Sequence, residues 1–70
     1  MNFNYRDLVR VSDHFRTWNG VKLIVIRSTP STPGTFMVDA INSETGSFHR
    51  FLHHDLILIS QWNQHEQQSQ

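Results

Sequence analysis

Short runs of alternating apolar and polar residues, separated by turn-forming residues, fill most of this chain. Asp7 to Ser12 sets Val9 and Val11 on one face and Arg10 on the other, the two-residue period of a half-buried strand. Asp13 to Gly20 breaks that period and ends in Asn19-Gly20, a strong turn signal, so it reads as a long first loop. Val21 to Ser28 is β-branched and apolar on both faces, with Val21, Leu23 and Val25 opposed to Ile24 and Ile26, which predicts a central strand or one whose outer face is covered by something else. Ser28 to Gly34 holds Pro30 and Pro33 and predicts an exposed connector, because proline cannot donate to a sheet ladder.

Alternation resumes from Thr35 to Ile41, with Phe36, Val38 and Ala40 expected inward and Met37 and Asp39 outward. Asn42 to Gly46 then reads as a five-residue hairpin loop whose Gly46 takes a positive φ. Ser47 to Phe51 is the return strand, and His53-His54-Asp55 is too short for anything but one tight helical turn. Leu56 to Ser60 is expected to close a barrel against the first strand. Phe48, Phe51, Leu52 and Leu56 are assigned to core or rim packing. Residues 61–70 include five glutamines and only Trp62 as a large apolar residue, a composition that predicts a disordered polar tail after a single domain over residues 1–60. Trp62 either packs back on the barrel or anchors a partner.

With the strands placed, four features resemble the SH3-like barrel family. They are Val9-Arg10-Val11, the aromatic loop ending in Trp18-Asn19-Gly20, the turn at Gly46, and the closing run Phe51-x-x-x-Asp55-Leu56-x-Leu58-Ile59. Within that family the chain is similar to KOW-type domains and, more loosely, to the small stromal SH3-like subunit of photosystem I. The resemblance covers residues 7–59 and implies a five-stranded SH3-like barrel with one short helical turn before its last strand. It also implies a role in binding. Two departures stand out: Gly20 is followed directly by Val21-Lys22-Leu23-Ile24, without the further glycine usual in KOW-type domains, and the photosystem subunit is typically more basic.

Composition narrows the function classes. Six basic and six acidic residues cancel in a chain of 70, which removes the long-range positive field that collects phosphate contacts. The absence of cysteine excludes disulfides and thiolate metal sites and fits a cytoplasmic location. Met1 to Arg6 lacks a secretion-signal pattern, and the apolar runs Leu23 to Ile26 and Leu56 to Ile59 are too short to span a membrane, so a soluble protein is expected.

Candidate chemistry follows from residue type. His49, His53 and His54 suggest a metal site, yet His49 falls on a predicted strand and His53 on a turn, and the expectation is no metal and no cofactor. Ser47, His49 and Asp55 can be drawn as a hydrolytic set, but nothing in their spacing gathers them, and a barrel this small offers no deep cleft, so no enzyme is expected. The aromatic loop is the stronger candidate. Phe15, Arg16 and Trp18, joined by Trp62, are the residue types that dominate binding hot spots; one or both loop rings can fold down to cap the open end of the barrel, and the alternatives are capping by Phe15 and partner contact by Trp18. The chain is therefore read as a non-enzymatic accessory or interaction subunit of a protein complex, monomeric or weakly oligomeric. The alternative is a KOW-like nucleic-acid-binding barrel that uses Arg10, Arg16, Lys22 and Arg27 for phosphates.

Overall fold

In the computed structural model, residues 3–62 are described. Five antiparallel strands form one sheet: β1 (Leu8–Val11), β2 (Lys22–Pro30), β3 (Phe36–Asn42), β4 (Phe48–Leu52) and β5 (Leu56–Ser60). Their spatial order is β4-β3-β2-β1-β5. The two strands at opposite ends of that order, β4 and β5, are joined by a single 3-10 turn, His53–Asp55. So short a link holds the sheet's two ends together, and the sheet must curl into a small barrel with one seam left unladdered. The all-β architecture of five antiparallel strands, with one short helical turn before the last, is the one expected.

The inner face is built as the alternation requires. Val9 and Val11 of β1, Leu23 and Val25 of β2, Val38 and Ala40 of β3 and Leu56 of β5 form one buried cluster, with Phe3, Trp18, Val21 and Phe51 packed against it. Seven buried apolar side chains make a modest core, as expected for a domain this short.

A bulge decides the outer face. The β2–β3 register pairs Val25 with Ala40 but Arg27 with Asp39, leaving Ile26 unmatched. Arg27 has the same parity as the buried Leu23 and Val25, so an unbroken strand would aim it into the core. The extra residue reverses the parity and sends Arg27 outward.

Three expectations need correction. β2 extends beyond Ser28 to Pro30, which pairs with Phe36; a proline at the end of a strand still offers its carbonyl, so only Ser31 to Thr35 bridges the strands. Asp39 faces outward as expected but is buried, 3% exposed, because Arg27 and Arg50 close over it. Phe48 is not core or rim packing: it is 54% exposed, standing on the outer face two residues from Arg50.

The hairpin loop behaves as predicted. Asn42 Oδ1 accepts from the N–H groups of Glu44 and Thr45, and Gly46 has φ 78°, a conformation that glycine adopts without strain. No helix among the described residues is long and apolar enough to cross a membrane. The expected tail lies, from residue 63 onward, outside the described residues.

Candidate interaction cleft

The first loop is folded, not extended. Phe15 N–H donates to the Ser12 carbonyl at 3.0 Å, Trp18 N–H to that of Phe15 at 3.0 Å, and Val21 N–H to that of Trp18 at 3.1 Å. Arg16–Trp18 forms a 3-10 turn within this series. At the base of the loop, Ser12 N–H donates to the Asp55 carbonyl at 2.7 Å, which ties the loop to the turn before β5.

This winding sorts the two aromatic rings. Trp18 folds down on the barrel, edge-on to His49 with centroids 4.7 Å apart and to Phe51 at 5.2 Å. Phe15 points away and stays 42% exposed. The ring that caps the barrel is therefore Trp18 and the ring offered to solvent is Phe15, the reverse of the roles weighed for them from the sequence.

Between the loop and the end of β1 lies a cleft of about 310 Å³ lined by Arg10, Asp13, Phe15, Arg16, Trp18 and Gly20, among others. Arg10 is paired with Asp13 at 2.8 Å on the exposed rim. A partly screened pair of that kind orients the guanidinium more than it stabilises the fold. Arg16 supplies a second cation, so the cleft combines an exposed ring with two guanidiniums and one carboxylate.

Three of the expected partner-binding residues, Phe15, Arg16 and Trp18, thus share one surface. The fourth does not. Trp62 sits elsewhere, its N–H donating to the buried Asp7 carboxylate at 3.1 Å and its ring 5.0 Å from the Arg6 guanidinium. It borders a separate apolar groove of about 320 Å³ with Tyr5, Ile24, Ile26 and Ile41. Trp62 therefore packs back on the barrel.

The expected phosphate-binding set is divided too. Arg10 and Arg16 line the cleft and Lys22 is the cross-strand neighbour of Arg10. Arg27 instead belongs to an ion-pair network with Asp39.

The histidines have local roles. His53 Nδ1 accepts the Phe36 N–H at 3.1 Å, which helps join the turn to β3. Ser47 Oγ and His49 Nε2 lie 2.9 Å apart, so two members of the set drawn on paper do meet. Asp55 makes no hydrogen bond to His49. Among the described residues no group of three or more histidine, aspartate or glutamate side chains is placed to hold a metal ion.

Sequence reasoning missed Asp39, Arg50 and Phe48. Arg27, Asp39 and Arg50 form one cross-strand rung, with Arg27 Nε donating to Asp39 Oδ2 at 2.7 Å and Arg50 Nε to Oδ1 at 2.6 Å. The hydrogen bond from Arg50, with that from Arg27 and the field of both cations, holds the Asp39 carboxyl below its ordinary range against the desolvation that opposes it. Long-range register created this site, and only the odd parity of Arg27 within an apolar strand hinted at it. In comparisons with known proteins no family model, no curated protein and no solved structure matches the chain.

Proposed function

We propose that this barrel is a non-enzymatic interaction module, an accessory subunit that docks a segment of a partner protein in the cleft between β1 and the first loop. The observation that carries the reading is the 42% exposure of Phe15 at a cleft that also holds Arg10 and Arg16. An aromatic ring flanked by guanidiniums suits a segment that presents apolar and acidic side chains together. The wound loop supports this reading because its backbone is already ordered by internal hydrogen bonds, which lowers the entropy lost on binding.

The open edge of β5, which is separate from the cleft, supports only the broader reading of an interaction module. Ile57, Leu58 and Ile59 are each more than a third exposed on a strand that, among the described residues, pairs with β1 alone. Proteins that leave such an edge without charge commonly cover it with something else. Among the described residues no carboxylate is hydrogen-bonded to the His49 imidazole, the orienting group that hydroxyl activation needs. That favours binding over catalysis.

Affinity capture from nuclease-treated lysate of the native source, with wild type beside Phe15→Ala, tests the proposal. A defined set of proteins retained by wild type and lost by Phe15→Ala is expected. Capture that disappears with nuclease would instead favour a nucleic-acid-binding barrel.

A further inference from the structure

The outer face of β2, β3 and β4 carries chemistry that the cleft does not use. Arg27, Asp39 and Arg50 are successive cross-strand partners, so their side chains leave the sheet on one side. Each guanidinium meets the carboxylate through Nε, one N–H of the five it carries. The terminal amines make no other ion pair among the described residues, and the two arginine side chains stay 66% and 55% exposed.

The two Nε atoms hang from the two oxygens of a single carboxylate, which keeps them within roughly 7 Å of each other. Two cations that close repel, and Asp39 offsets only one of them. The rung keeps a net positive charge beside a cleft of about 270 Å³ that Thr29 and Met37 also line. Guanidinium forks match phosphate oxygens in both charge and geometry.

Phe48 supplies the second half of the site. It lies two residues before Arg50 on the same face of β4, about 7 Å along the strand. Its ring is 54% exposed. Ile41 and Ile24 continue its rung across the sheet, extending an apolar strip beside the cations. Phosphate binding and ring stacking side by side describe a nucleotide.

We propose that the Arg27–Asp39–Arg50 rung is a phosphate clamp for a nucleotide, with Phe48 as the ring on which the attached base stacks. Asp39 is a positioning residue: it fixes both guanidiniums by their inner edges and leaves the outer ones for the ligand. The same chemistry serves a free nucleotide or one unit of a single strand.

Fluorescence anisotropy with a labelled oligo-dT of about 12 nucleotides, competed by AMP, inorganic phosphate and a duplex, tests the clamp at about 50 and 200 mM salt. The oligonucleotide or AMP should bind at the lower salt and weaken at the higher. Arg50→Gln should weaken both about tenfold or more. Phe48→Ala should weaken them roughly 5- to 150-fold, the range of one lost stacking contact, and leave inorganic phosphate unaffected. Oligonucleotide binding much tighter than AMP assigns the site to a single strand, and equal binding assigns it to the free nucleotide. Phe48→Leu, an exposed and conservative change, carries the test if Arg50→Gln fails to fold. Absence of binding by both ligands, or binding that Arg50→Gln or both Phe48 variants leave unchanged, overturns the proposal.

Discussion

Asp7 and Trp62, fifty-five positions apart, are joined by a hydrogen bond from the Trp62 N–H to Asp7 Oδ1 at 3.1 Å. The other oxygen of the same carboxylate accepts the Asn4 N–H at 2.8 Å. Asp7 is buried, so it fastens the chain on both sides of the barrel while its own charge is met by two donors. Asp7→Ala should lower stability by about 1–3 kcal/mol, the cost of leaving buried partners unsatisfied. Chemical denaturation measures it, and an unchanged midpoint would show that the clasp does not contribute.

Asp39 makes an acid-sensitive contribution. Its carboxyl is held below the ordinary value of 3.8 in the folded state, so the unfolded chain binds the proton more tightly. The resulting stability is present above pH about 4 and is lost as pH falls through the depressed folded pKa. Asp39→Asn should cost about 1–2 kcal/mol near neutral pH, a figure discounted for the exposure of both arginines. Its stability should then fall less steeply than that of wild type below pH about 4. Denaturation midpoints followed from pH 7 to about pH 2.5 check both points.

Val25 is fully buried in the middle of β2. Val25→Asp would place a carboxylate without a partner in a core of seven residues. No cooperative thermal transition should remain, and a folded variant would mean that the inner face of β2 is wrongly assigned.

Gly46 isolates backbone conformation from packing. Its φ is 78°, and a Cβ there would meet nothing within 4 Å. Gly46→Ala should therefore cost about 1–2 kcal/mol from left-handed strain alone. A matching loss of melting temperature, with an otherwise unchanged amide spectrum, is the expected result.

Much of the architecture was legible because strand alternation reports directly on burial. Val9, Val11, Leu23, Val25, Val38 and Ala40 all fall where that pattern sets them, and Gly46 marks its turn. Alternation tells which face a side chain leaves, but not what will cover it there. Alternation therefore sets Asp39 outward without showing that Arg27 and Arg50 arrive over it from neighbouring strands. The Ile26 bulge was equally hidden, since Val-Ile-Arg carries no turn residue. Phe48 was misplaced by its hydrophobicity, which outweighed its parity with Arg50. At the cleft, residue type marked Phe15, Arg16 and Trp18 together, but the choice of which ring turns inward depended on contacts with His49 and Phe51 made only in the folded barrel.

The central claim is that the cleft between β1 and the first loop receives a partner segment. Its most direct test is an NMR titration of the isotopically labelled protein with peptides selected against it from a displayed library. Peptides that join acidic to apolar side chains should emerge, shift the amides of residues 10–20, and lose affinity about tenfold or more when Phe15 is replaced by alanine. Shifts confined to β5 or to the outer face, with affinity unchanged in Phe15→Ala, would contradict the account.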